Sequence, residues 1–250
     1  MREIEICKSK SDLTERAAEI FAESSAAAIA ESGRFTVALS GGSTPASLYK
    51  LLASETFRTQ LDLPNIYFFF GDERIVPADS PDSNFRMANE TMLSPLGAPS
   101  ENIFRWKTEL GEAAAADYES TLIKFFGLTE TEPSPLRDWP RFDLVLLGMG
   151  TDGHTASLFP NSPALKEISR HTAVNEVAAL STKRLTLTFP VLNAAAAAMF
   201  LVTGSEKADV VKNVLEGEFR PDDLPAQFVE PDDGRLIWLL DADAAAMLDH

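Results

Sequence analysis

Short β-rich runs with little polar alternation recur along this chain, and they leave it few folds to adopt. They cover residues 35–40 (FTVALS), 66–70 (IYFFF), 142–148 (FDLVLLG), 184–189 (RLTLTF), 199–203 (MFLVT) and 236–241 (LIWLLD). A strand with one face in water alternates apolar and polar residues, whereas a strand covered on both faces does not need to. Between the runs, residues 12–32, 46–54, 84–93, 112–126, 191–198, 207–215 and 242–248 carry helical patterns. The alanine tracts at 26–30, 113–116 and 194–198 read as helix interiors. Strands alternating with helices predict an α/β fold, with a largely parallel sheet covered by helices on both faces. In such sheets ligands bind in the crevice beyond the carboxyl ends of the strands.

A chain of 250 residues has room for one large domain or two small ones. The proline-rich stretch 127–141 leads directly into a buried strand and reads as an internal connection, so one domain over residues 1–250 is expected. No apolar run reaches membrane length and no signal-peptide core precedes the first strand, which makes the cytoplasm the expected location. The lone Cys7 excludes an internal disulfide; it alternates with Ile4 and Ile6 in a strand-like stretch and reads as packing.

Net charge constrains partners. At −16 the chain lacks the basic balance that neutralises nucleic-acid phosphates. An anionic small molecule would need a local pocket of arginine, lysine and backbone N–H groups against that negative field. The positions of the cations are therefore informative.

Three loops follow buried strands. In the first, ALSGGSTPASLY, Gly41 and Gly42 let the backbone approach a ligand, and Ser43, Thr44 and Pro45 open a helix whose N–H groups can face an anion. Thr44 is expected as the N-cap with Pro45 at the first helical position, but capping alone does not explain two glycines beside two hydroxyls. The loop lacks the third glycine of a dinucleotide fingerprint and the Gly-Lys-Ser/Thr of a Walker loop. In the second, Gly71 leads to Asp72, Glu73 and Arg74, and then to Asn84 and Arg86 at the start of the next helix. Such charge is usually a solvated loop; at a strand's carboxyl end it falls where the crevice lies. In the third, Gly148, Gly150 and Gly153 surround Asp152 and His154. An imidazole accepts protons near neutral pH, and one beside a carboxylate at a strand end suits base catalysis. His171 and His250 lie in no ligand spacing with it, so no metal is expected. Lys183 and Arg184 would by themselves read as a solvated strand start; with Arg74 and Arg86 they can form the positive pocket.

Taken together, LSGGSTP, GDERIVPADSPDSNFRM, LLGMGTDGHTASLFP, KRLTLTFPVLNAA and GSEKADVVKNVL, in this order over nearly the whole chain, resemble the 6-phosphogluconolactonase family. The resemblance implies a modified Rossmann-like fold, shared with glucosamine-6-phosphate deaminases, and no required metal or nucleotide cofactor. It implies hydrolysis of a small sugar-phosphate lactone, with nucleic acid and membrane absent as partners, by a monomer or small homo-oligomer. By the same analogy His154 is the general base and Asp152 its orienting neighbour. Gly41, Gly42, Ser43 and Thr44, with Arg184 and Lys183 or Lys207, would hold the 6-phosphate. Asp72, Glu73, Arg74, Asn84 and Arg86, with Gly150 and Gly153, would shape the sugar side.

Three rival readings stand beside this one. In the deaminases the histidine is followed by a run whose glutamate assists proton transfer; here Phe159 stands in that place, and a phenyl ring relays no proton. A covalent reading would use Ser40 or Ser43 as nucleophile with His154 and either Asp143 or Asp72, but no Gly-x-Ser-x-Gly elbow exists. A non-catalytic sugar-phosphate sensor would be expected to carry a DNA-binding module, whereas the first strand-like stretch here starts near residue 3.

Overall fold

The computed structural model describes residues 2–129, 138–177 and 181–249. Most of the proline-rich connection at 127–141, and His250, lie outside the described residues. The strands are β1 (Arg2–Cys7), β2 (Phe35–Leu39), β3 (Ile66–Phe70), β4 (Asp72–Arg74), β5 (Leu144–Leu147), β6 (Thr172–Val177), β7 (Thr182–Leu187), β8 (Ala197–Val202) and β9 (Arg235–Asp241). Six of them form one sheet in the order β1-β9-β8-β5-β2-β3, and every pairing in it is parallel. All residues of β2, β5 and β8 are buried. Side chains alternate between faces along a strand, so both faces of the sheet are covered, as the lack of polar alternation predicts.

The helices that bear on the site are few. Helix α1 (Lys10–Ser32) starts at Ser9, whose hydroxyl accepts from the Asp12 N–H, and stops at Gly33 in the left-handed region (φ 79°). It packs on α2 (Ser43–Leu52), which follows β2 directly. The short helices α3 (Glu55–Arg58), α4 (Asn84–Ala88) and α5 (Ser94–Leu96), the longer α6 (Ala114–Phe126), the short α7 (Phe189–Asn193) and α8 (Ala208–Leu215) are the other α-helices among the described residues. None of the helices among the described residues is long and apolar enough to cross a membrane.

Four local expectations are corrected. The run at 184–189 does not join the parallel sheet: β7 sits between β4 and β6 in a separate three-stranded antiparallel sheet. The tract 194–198 is not helical. Helix α7 ends at Asn193, and Ala197 and Ala198 already pair with Arg235 and Leu236 of β9, so sheet pairing overrides alanine's helix preference. Residues 242–248 form turns, because the Asp241 carboxylate accepts from the N–H groups of Ala244 and Gly204 and holds the chain in a bend. At 84–93 the helix is broken: α4 ends at Ala88 and a π-helical turn, Asn89–Leu93, continues it.

β2 and β5 are stitched at their entry by Asp143, whose Oδ2 accepts from both the N–H and the hydroxyl of Thr36 at 2.7 Å. Hydrogen bonds to a charged group are each worth about 1.5–3 kcal/mol. Asp143→Ala is therefore expected to lower the unfolding free energy by about 2–3 kcal/mol, read as a lower urea midpoint at unchanged slope. An unchanged midpoint would refute the stitch.

Candidate active site

The carboxyl ends of β2, β5 and β8 open onto a cavity of about 470 Å³. Its wall is drawn from loops far apart in sequence: Gly41, Gly42, Ser43 and Thr44; Asp72, Arg74 and Asn84; Gly150 and His154; and Arg184 and Lys207. The crevice rule thus holds, and the glycine loops meet there.

The first loop is shaped by close approach. A side chain on Gly41 would run into the Asn84 amide, and Gly42 takes φ 102°, a conformation that glycine alone adopts without strain. The helix begins two residues earlier than expected: Gly42 is the N-cap and Ser43 opens α2, so Thr44 is not the cap. Instead the Thr44 hydroxyl meets that of Thr203 at 2.8 Å, which ties the α2 N-terminus to the end of β8. The first-turn N–H groups of α2 have no intrahelical acceptor and are available to an anion.

The charged loop turns out to be a strand. In β4, alternation sends Asp72 and Arg74 to the cavity and Glu73 to the other side. There the Glu73 carboxylate accepts from the N–H groups of Arg74, Asn84 and Phe85 and from the Ser83 hydroxyl, so it caps α4 and does not line the cavity. The same alternation splits the pair on β7. Arg184 lines the cavity, whereas the Lys183 ammonium is bound to Glu112 at 2.7 Å. Arg86 is likewise absent from the wall, held by Glu90 and the Asp79 carbonyl, and Gly153 packs against Leu224.

Arg74 and Arg184 lie directly opposite each other in the β4–β7 register, an arrangement that costs stability when the charges repel. Burial, and then Arg74, hold the Arg184 guanidinium below its usual range. Arg74 donates to the Asp82 carbonyl and Arg184 to the Thr182 hydroxyl; neither they nor Lys207 have a carboxylate ion-pair partner among the described residues. An anion in the cavity would meet three cations without a direct ion pair among the described residues, in a wall that also holds Asp72 and Glu206.

Asp72 sits in the wall, with Ser157 donating to one oxygen (2.6 Å) and the Asn84 amide to the other (3.2 Å). Burial pushes its carboxyl up, outweighing the Ser157 hydrogen bond and the nearby Arg74, His154 and Arg184. A carboxyl raised in the folded state binds its proton more tightly there than when unfolded. Stability therefore falls as pH rises from the unfolded value through the folded one. Asp72→Asn removes that cost. It is expected to raise stability near neutral pH by about 1 kcal/mol and to flatten the decline above the usual carboxylate range. Denaturant midpoints taken across pH that coincide for the two proteins would count against this.

His154 directly follows the Gly148–Gly153 stretch and packs against Gly150. Its Nδ1 is 2.5 Å from Asp152 Oδ1, which also accepts the His154 backbone N–H. Burial raises the Asp152 carboxyl, and the hydrogen bond and charge of His154 more than reverse this, leaving it below its usual value. With Nδ1 engaged, Nε2 is the ring nitrogen left for chemistry. The Phe159 ring stacks on the imidazole, centroids 4.1 Å apart and planes 25° from parallel. Asp143 is committed to Thr36, and among the described residues no serine hydroxyl bonds to the His154 ring, so no Ser-His-Asp array forms. Nor do three metal-ligating side chains gather among the described residues.

Sequence reasoning overlooked Thr203, Ser157 and Glu206 in the wall. Thr203 carried a usable signal: it follows an apolar run and precedes Gly204, as the flagged loops do. Ser157 offered none, because its role depends on β4 lying beside it.

A family model described as glucosamine-6-phosphate isomerases/6-phosphogluconolactonase matches residues 8–238. A 6-phosphogluconolactonase of Synechocystis sp. is 40% identical over 248 residues, 98% of each chain. The solved 6-phosphogluconolactonase of Trypanosoma cruzi is 30% identical, with a TM-score of 0.88 over 100% of this chain and 98% of that one. A monomeric glucosamine-6-phosphate deaminase, 22% identical with a TM-score of 0.79 over 98% of this chain and 100% of that one, shares the fold alone. The modified Rossmann-like α/β architecture expected from sequence is thus that of its relatives, and the chain belongs to the glucosamine-6-phosphate isomerase/6-phosphogluconolactonase family.

Proposed function

We propose that this protein hydrolyses 6-phospho-D-glucono-1,5-lactone to 6-phosphogluconate, with His154 as the general base. The observation that carries this reading is the pairing, in one cavity, of an Asp152-bound imidazole with three cations that have no direct ion pair among the described residues and a free helix N-terminus. The 6-phosphate would lie against Gly41, Gly42, Ser43 and Thr44, with Arg184 and Lys207 supplying charge; Arg74, Asp72 and Asn84 would face the sugar. Holding the phosphate fixes the carbonyl in front of Nε2, which lowers the entropic cost of reaching the transition state.

Water adds to the C1 carbonyl carbon as Nε2 takes one of its protons. The oxyanion that forms then collapses, the bond from C1 to the ring oxygen breaks, and the imidazolium returns its proton to that oxygen. Asp152 keeps Nδ1 protonated and offsets the charge on the ring in between. The product carboxylic acid ionises, so each turnover releases one proton to solution. A lactone carbonyl is already electrophilic, and the scheme routes no step through a metal or an acyl-enzyme.

Acid release on adding freshly made phospholactone tests the reading, with glucosamine 6-phosphate assayed for ammonia in parallel. Acid without ammonia is expected. Ammonia would favour the deaminase, and tight binding with neither product a sensor. Arg184→Ala should raise KM for the phospholactone about 10- to 150-fold, the loss of one charge-assisted contact of about 1.5–3 kcal/mol. Stability should not fall, because a like-charge pair is relieved. An unchanged KM would remove Arg184 from the phosphate grip.

A further inference from the structure

We propose that Phe159 is a positioning residue for the imidazole, and that a buried amide, Asn175, holds Phe159 in place. The inference deepens the hydrolase reading and rests on it for its kinetic arm. Asp152 fixes one edge of the His154 ring, but a single hydrogen bond leaves the ring free to swing about it. The near-parallel Phe159 ring covers an imidazole face at 4.1 Å, and Gly150 crowds the Nδ1–Cε1 edge so closely that a Cβ there would strike it. The ring is thus confined on a face and an edge, with Nε2 left toward the cavity.

Phe159 is itself anchored from below. Its carbonyl accepts from the Ser162 hydroxyl at 2.7 Å and the Ser162 N–H at 3.1 Å. Ser162 in turn accepts from the Asn175 amide at 2.9 Å, and that amide also donates to the Ser157 carbonyl at 2.7 Å. Asn175 is fully buried on β6, and its Oδ1 accepts from the Ala164 N–H. One side chain therefore pins both ends of the 157–162 segment that carries Phe159. This accounts for a fully buried polar side chain in the middle of β6.

The test compares Phe159→Leu, which removes the aromatic face, with Phe159→Tyr, which keeps it. The leucine variant is expected to lose about five- to tenfold in kcat, the worth of one aromatic pair, with KM within about twofold. The tyrosine variant should stay near the parent. In ¹⁵N-labelled protein in mildly alkaline buffer, the parent His154 ring should show the Nδ1-protonated tautomer, and the leucine variant an average of both. Assignment uses the signal lost in His154→Ala. A leucine variant with parental kcat and an unaltered tautomer signal would overturn the proposal. Should the parent not hydrolyse the phospholactone, the reaction reading falls and the tautomer arm alone decides: averaging supports positioning, no change refutes it. If the leucine variant does not fold, Phe159→Met, similar in bulk without a ring face, is read by the same criteria.

Discussion

Replacing His154 with alanine is expected to lower kcat by about 10²–10⁴-fold, the usual contribution of a positioned base, while the protein stays folded. The side chain is 28% exposed, and among the described residues its ring hydrogen-bonds only to Asp152, itself 48% exposed, so its removal leaves no buried polar group without a partner. The proposed phosphate grip draws on other loops and should survive. The inhibition constant for 6-phosphogluconate is then expected to stay within a fewfold of the parent value. Initial rates must be corrected for spontaneous lactone opening. A folded His154→Ala protein with parental kcat would remove the assigned base, and one that had also lost product binding would show that the imidazole serves as a ligand contact.

Gly150→Ala should also be damaging, although it removes no titratable group. Gly150 does not lie at positive φ, so alanine is compatible with its backbone. The added methyl would instead meet His154 Nδ1 and Cε1 and Asp152 Oδ1, all well inside contact distance. These atoms are the far ends of side chains, so the imidazole yields and the fold does not. A displacement of about 1 Å at a catalytic group can cost about 10²-fold. The expected result is a kcat lower by about 10–10²-fold, with KM and thermal midpoint close to the parent. Full activity in this variant would mean that the ring need not sit where the structure has it.

The strands of the parallel sheet could be read from sequence because burial on both faces leaves a local trace: Ile66–Phe70 and Ala197–Val202 are apolar with hardly a break. In the small antiparallel sheet only β7 left such a trace, the run at 184–189, and its partners could not be read from it. β4 is a three-residue strand, Asp-Glu-Arg, that exists only because β7 pairs with it, and β6 hides a buried Thr172 and Asn175 that look like loop residues. The same limit applies at the site. The glycine loops announced themselves through local pattern, and so did His154. Whether Arg184 or Lys183 faces the cavity depends on strand alternation in β7, and Glu73 reads as a site residue until its role as an α4 cap is seen. Thr44 looked like a cap because its partner, Thr203, lies 159 residues away. Contacts between loops, rather than the loops themselves, were what the sequence withheld.

The central claim is that the phosphate grip and the imidazole act on the two ends of one ligand, and a crystal structure with bound 6-phosphogluconate tests it most directly. The phosphate is expected at the N-terminus of α2 between Arg184 and Lys207, with the C1 carboxylate within about 3.2 Å of His154 Nε2 or one water away. A product molecule whose carboxylate lies beyond reach of that nitrogen, or whose phosphate occupies the His154 side of the cavity, would contradict the account.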